Sequence, residues 1–180
     1  MPAAKPTNAS RNDLRVVVDA QIVLAMFLTR RDRPDAISPK RQLLNLLALP
    51  TFHWLWTLDI INDYDRGAEA VKADERIMRR AEFDRVGFQL FLAALQLEPP
   101  VAVSVTSMRN ARRRLSQAPR TAERDLEDAV YLACAVDGEA HLLTTEDSDL
   151  RLLGDTYQDV QIVSWRELKD ELAMRGLLVG

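Results

Sequence analysis

The side chains able to do chemistry in this sequence are carboxylates, and they fall into four groups. Asp19 closes the β-branched run Val16-Val-Val. Asp63 stands in Ile60-Ile-Asn-Asp63-Tyr64. Asp125 and Asp128 open an Ala-rich stretch, Asp125-Leu-Glu-Asp128-Ala-Val-Tyr-Leu-Ala-Cys-Ala. Asp147 and Asp149 follow Thr144 in Thr145-Glu-Asp147-Ser-Asp149-Leu150. No histidine or cysteine stands among these acids. Carboxylates gathered at one place repel one another, so protons or cations must neutralise part of their charge. Oxygen ligands without His or Cys suit Mg²⁺ or Mn²⁺ far better than zinc or iron. A divalent ion in such a site can activate water and stabilise the leaving oxygen of a phosphodiester. The same ion screens the acids from an approaching phosphate, which the bare pocket would repel.

Whether these groups meet depends on the elements that carry them. Leu14 to Asp19 reads as a buried strand, followed by a helix over Ile22 to Leu28 and a charged loop, Arg30 to Asp35. Ser38-Pro39 predicts a helix start, with Pro at the first helical position, running to Leu49 and stopping at Pro50. Phe52 to Thr57 is a second strand, and Leu58 to Val71 a helix bearing Asp63. Over 74–97 the apolar residues Ile77, Ala81, Phe88, Phe91 and Leu95 recur every three or four positions, which predicts one longer helix ended by Pro99-Pro100. Val101 to Val105 reads as a third strand and Arg109 to Arg120 as an arginine-rich connection. Asp125 to Val136 is a helix with Gly138 just past its end. Ala140 to Thr144 and Val160 to Val163 are the fourth and fifth strands. Ser164-Trp-Arg-Glu167 is a capping box opening a last helix to about Arg175. Strands alternating with helices predict an α/β fold: three α/β/α layers around a mainly parallel sheet of about five strands. Ligands of such sheets bind outside the carboxyl ends of the strands, where Asp19 and the Thr144–Asp149 segment stand.

The chain has 180 residues, 47% hydrophobic and 28% charged, enough for one domain with its own core. Residues 1–13 read as a flexible polar tail and 14–180 as a single domain. Twenty-four Lys and Arg against 27 Asp and Glu leave a net charge of −3, which excludes a polybasic nucleic-acid binder but not an enzyme with local basic patches. The single cysteine, Cys134, can form no internal disulfide, and no Cys/His cluster is present to hold zinc. The N-terminus lacks an apolar signal core, and the longest apolar stretch, Ala129 to Val136, is too short to span a membrane. The expectation is a cytoplasmic protein without membrane contact.

The order of these motifs resembles the PIN domain family of metal-dependent nucleases, over about residues 14 to 172. In that family a first strand ends in Asp-Thr-Asn before apolar residues, as Val16-Val-Val-Asp19-Ala-Gln21-Ile-Val-Leu does here with Gln21 in place of Asn. A second motif, apolar-apolar-x-Glu, is matched by Ile60-Ile-Asn-Asp63 with Asp in place of Glu. Asp-x-x-Asp opening an Ala/Leu-rich helix is matched at Asp125 and Asp128, and Thr-x-Asp-x-Asp-Leu at Thr145 to Leu150. The branch most resembled is the bacterial one described as toxins of toxin–antitoxin pairs. The resemblance implies an endoribonuclease using Mg²⁺ or Mn²⁺, with Asp19, Asp128 and Asp147 holding the ion and Asp63 and Asp125 assisting. It also implies a homodimer and an antitoxin protein bound near the acidic pocket. Gln21, Thr144, Thr145 and Asp149 would orient the carboxylates from behind. Arg112, Arg113 and Arg114, in the densest basic run, would contact RNA phosphates.

Each group also has a plainer use. Asp125 and Asp128 suit a helix N-terminus, and Asp147 and Asp149 suit a turn. Asp63 could be an ordinary exposed helix residue, and the arginine run, like the stripe Arg76, Arg79, Arg80, a solvated surface. Asp19 is the hardest to explain away, because an acid directly after a Val run in a central strand needs a partner or a role. Trp54 and Trp56 read as sheet core, Cys134 as packed and inert, and His141 as core or strand. Two alternatives to the nuclease follow. One, motivated by Gln21 and Asp63, is a PIN-like scaffold that binds RNA or a protein without cutting. The other is a different α/β enzyme; an aspartyl phosphatase would need a second Asp two residues after Asp19, where Gln21 stands.

Overall fold

The structure, a computed structural model, describes residues 13–36, 38–117 and 128–178. Its centre is β1 (Leu14–Val18), paired in parallel with β3 (Phe52–Leu55) on one side and β5 (Leu142–Thr144) on the other. Beyond β5 lie β7 (Val160–Val163), also parallel, and a two-residue antiparallel edge, β6 (Thr156–Tyr157). The order is β3-β1-β5-β7-β6. Leu14, Val16, Val17 and Val18 are all fully buried, as expected of a strand covered on both faces. Each such side chain contributes about 1.5–3 kcal/mol relative to exposure.

Helices cover the sheet in the three-layer α/β/α arrangement. Helix α1 (Ala20–Met26) packs against α3 (Leu58–Ala73). Helix α7 (Ala129–Asp137) packs against β1, β5 and α6 (Val105–Gln117), and α9 (Trp165–Met174) against β5 and β7. The capping box at Ser164 and Glu167 is present as read. Trp54 and Trp56 are core residues, and Cys134 is buried, its thiol pushed up to about 12 by that burial. No helix among the described residues is long and apolar enough to cross a membrane.

Several elements differ from their sequence reading. Val101 to Val105 is no strand: residues 101–104 are irregular, and α6 starts at Val105. Pro99 and Pro100 bring no amide donors, and the Ser104 amide is taken by Asp137 Oδ2 at 2.6 Å. Ser104 Oγ then accepts from the Ser107 amide at 3.0 Å, so a serine cap starts a helix where alternating valines had suggested a strand. The fifth strand is β6 instead. The arginine-rich connection is the body of α6 as far as Gln117; Arg120 lies outside the described residues.

The helix expected over 74–97 is two helices, α4 (Glu75–Arg80) and α5 (Arg85–Leu95). Between them β4 (Ala81–Phe83) pairs antiparallel with β2 (Leu28–Arg30). Asp74 and Asp84 each accept amides of the helix they precede, and these two caps set the break. The helix expected over 38–49 shrinks to a 3₁₀ turn at Pro39–Gln42 and one turn of α2 (Leu43–Leu46). His141 is exposed rather than core, its Nδ1 accepting the Arg15 amide at 3.0 Å.

Candidate active site

Strand register brings the first and last acid groups together. Val18 is paired with Thr144, so the residues that follow, Asp19 and Thr145, leave the sheet side by side. The Asp19 amide donates to the Thr144 carbonyl at 3.0 Å and the Thr145 amide to the Val163 carbonyl at 2.9 Å. Asp19 is the N-cap of α1, accepting weakly from the Gln21 amide at 3.4 Å. Thr145 Oγ1 donates to Asp19 Oδ2 at 2.5 Å and accepts from the Asp147 amide at 2.8 Å. One fully buried hydroxyl thus links the Asp19 carboxylate to the backbone amide of Asp147.

Asp147 in turn caps α8 (Ser148–Arg151): its Oδ1 accepts from the amides of Asp149 at 2.6 Å and Leu150 at 3.2 Å. Its turn-building use is therefore real, and it holds the carboxylate in place beside Asp19. Asp149 supports this through its amide.

Asp63 approaches from α3. Its Oδ2 accepts from the phenol of Tyr131 at 2.5 Å, and its Oδ1 from Arg66 at 3.1 Å. The next residue, Tyr64, is fully buried, and its hydroxyl donates to the Val18 carbonyl, directly before Asp19. Burial holds both phenols well above the ordinary tyrosine pKa, so both act as donors. Neither tyrosine was singled out from the sequence. The available signal was a tyrosine inside a buried apolar helix face, whose hydroxyl must find an acceptor.

Asp128 is half-buried at the N-cap position of α7, and its side chain makes no capping hydrogen bond to that helix. Asp125 lies outside the described residues. Gln21 is exposed and reaches Asp19 through its backbone amide. Thr144 offers Asp19 its carbonyl, while its own buried hydroxyl has no hydrogen-bond partner.

The electrostatics centre on Asp19, which is 6% exposed. Burial raises its pKa to about 6, and repulsion from Asp147 and Asp63 adds to the rise; the bonds from Thr145 and Gln21 oppose it. A buried carboxylate with two neutral donors and two acidic neighbours calls for a proton or a cation. The neighbouring side chains able to ligate an ion, Asp147 and Asp63, offer only oxygen, which fits a hard divalent ion. Among the described residues, however, no three His, Cys, Asp or Glu side chains are already drawn close enough to share a metal.

The three consecutive arginines of α6 diverge around the helix. Arg112 lines a cleft of about 350 Å³ together with Asp63, Asn62, Arg66 and Met108. Arg113 and Arg114 line a smaller recess beside Tyr157, and Arg114 donates to the Leu153 carbonyl at 3.0 Å. A larger cavity, about 610 Å³, lies at the amino ends of β5 and β7 beside His141 and Arg175, at the opposite edge of the sheet from the acids.

The fold and this edge define a three-layer α/β domain with Asp19 and Asp147 just beyond the carboxyl ends of two parallel strands. The chain belongs to the PIN domain family, whose sequence model matches residues 15–149. That span takes in the Asp19, Asp63, Asp128 and Asp147 segments. Members of the family are generally nucleases, and as a group they use divalent metals and bind RNA. Neither the curated proteins nor the solved structures contain a match to the chain.

Proposed function

We propose that the protein is an endoribonuclease, dependent on Mg²⁺ or Mn²⁺, and the toxin of a toxin–antitoxin pair. The observation that carries this reading is Asp19: a buried carboxylate at the carboxyl edge of the sheet, flanked by Asp147 and Asp63 and, among the described residues, contacted by no cationic side chain. Asp19, Asp128 and Asp147 would hold the ion, with Asp63 and Asp125 assisting. When bound, the ion supplies positive charge to the scissile phosphate and lowers the pKa of water. The chain's own part is positioning. Thr145 fixes Asp19 and Asp147 relative to each other, the Asp149 amide steadies Asp147, and Gln21 and Thr144 support Asp19 through their backbone. Arg112, on the cleft wall near Asp63, takes an RNA phosphate, and Arg113 and Arg114 extend the basic surface of α6. Residues 14–180 act as one cytoplasmic domain, paired with a second copy, and an antitoxin protein covers the acidic edge.

The second reading, a scaffold that binds RNA or a protein without cutting, is favoured by Gln21, whose exposed side chain stands where the family has Asn, and by Asp63, whose shorter carboxylate is held by Tyr131 and Arg66. Metal titration separates the two. A site that binds the ion only when folded gains about 2.7 kcal/mol at a hundredfold excess over Kd, seen as a rise in Tm. The rise is expected with Mg²⁺ or Mn²⁺ in the wild type and absent in Asp19→Asn. A folded wild type whose Tm ignores both ions supports the scaffold. Growth arrest on expression in bacteria, relieved by Asp19→Asn, tests the toxin assignment.

A further inference from the structure

We propose that Tyr131 is a positioning residue that sets the Asp63 carboxylate within the acidic site, an inference resting on the nuclease reading above. Tyr131 is 1% exposed and lies three residues after Asp128, hence on the same face of α7 one turn further on. Its hydroxyl crosses to α3 and donates to Asp63 Oδ2 at 2.5 Å. The other oxygen, Oδ1, takes Arg66 at 3.1 Å, but Arg66 is 59% exposed and on the same helix. Exposed pairs at that spacing hold little. A part-buried, charge-assisted bond to a phenol fixed by packing holds more. The residue after Asp63 is bolted as well, Tyr64 to the Val18 carbonyl of β1. Consecutive residues of α3 therefore tie it to the helix that begins after Asp128 and to the strand that ends before Asp19. Without the Tyr131 bond, Asp63 keeps, among the described residues, its link to Arg66, which swings it along α3 toward solvent.

The test is Tyr131→Phe, which keeps the ring and removes the donor. Mn²⁺ affinity by calorimetry and steady-state kcat and KM on RNA are measured for the wild type, Tyr131→Phe, Asp63→Asn and both double variants, Tyr131→Phe/Asp63→Asn and Tyr131→Phe/Asp63→Glu. Circular dichroism confirms that each is folded. Loss of an outer partner of this kind costs about 10–100-fold in metal affinity or activity. The expected result is such a drop in kcat with KM for RNA little changed, no further drop when Tyr131→Phe is added to Asp63→Asn, and partial recovery with Asp63→Glu, whose longer arm reaches inward without the phenol. A folded Tyr131→Phe with wild-type Mn²⁺ affinity and kcat overturns the proposal. So does an equal loss in the Asp63→Asn background, which would mean that Tyr131 acts by packing alone. A folded wild type that neither binds Mn²⁺ nor cuts RNA overturns the nuclease reading itself, and is told apart because the wild type is then silent.

Discussion

Asp19 carries an electrostatic cost that the metal-free fold does not relieve. Its pKa is about 6 in the folded chain against 3.8 for the free side chain, so the folded state binds the extra proton between those values. Stability then falls as pH rises through that window, and the penalty is complete somewhat above about pH 6. It amounts to on the order of 3 kcal/mol, of which about 1.5 kcal/mol develops between about pH 5 and about pH 7.5. Asp19→Asn removes it. In EDTA, urea denaturation is expected to show the variant gaining about that much stability over the wild type on going from about pH 5 to about pH 7.5. A constant difference between the two would mean that Asp19 is not the strained group. At this scale the sequence was informative for the acids, because their types and their places after apolar runs are visible in one dimension. It was silent on the hydroxyl partners of Tyr64 and Tyr131, which lie 46 and 68 residues away and emerge only when α3 meets β1 and α7.

Elements supply the alignment that makes those residues neighbours. Four of the five expected strands are present, since short buried runs of β-branched, aromatic or leucine residues ending in turn residues leave little choice. Val101 to Val105 failed because a short alternating run is ambiguous, and its fate was decided by Asp137 from a distant helix end. The merged helix over 74–97 failed because the apolar period continues through Ala81 and Phe83, while Asp74 and Asp84, readable as caps, mark two starts. Gly138, at the end of α7, was read as a helix stop, and the structure adds a packing reason. A Cβ there would lie 2.7 Å from the Cys134 carbonyl oxygen and 2.8 Å from Leu55 of β3. Gly138→Ala is therefore expected to cost about 1–3 kcal/mol, measured by chemical denaturation, because backbone must shift. A neutral substitution would show that α7 has slack against the sheet.

Across the whole molecule, a net charge of −3 and an acidic edge oppose RNA, so binding must draw on local positive charge. Arg112 is the α6 arginine that shares a cleft with a candidate acid, and Arg112→Ala is expected to lower the salt dependence of RNA binding by about 0.7 in the log–log slope. An unchanged slope would place the phosphate contacts elsewhere. The architecture was largely legible because alternating elements admit few topologies. The division of the α6 arginines between two faces was not, because that stretch read as a connection and had no helical phase.

The proposed nuclease cuts RNA through carboxylates at the sheet edge with the help of a divalent ion. The measurement that tests this most directly incubates the purified protein with single-stranded and structured RNAs in EDTA, Mg²⁺ or Mn²⁺, with Asp19→Asn and Asp147→Asn prepared in parallel to reveal any contaminating nuclease. Cleavage that needs the ion and is lost in both variants is the predicted result. A folded wild type that leaves every RNA intact with either ion, or an Asp19→Asn variant that cuts at the wild-type rate, would contradict it.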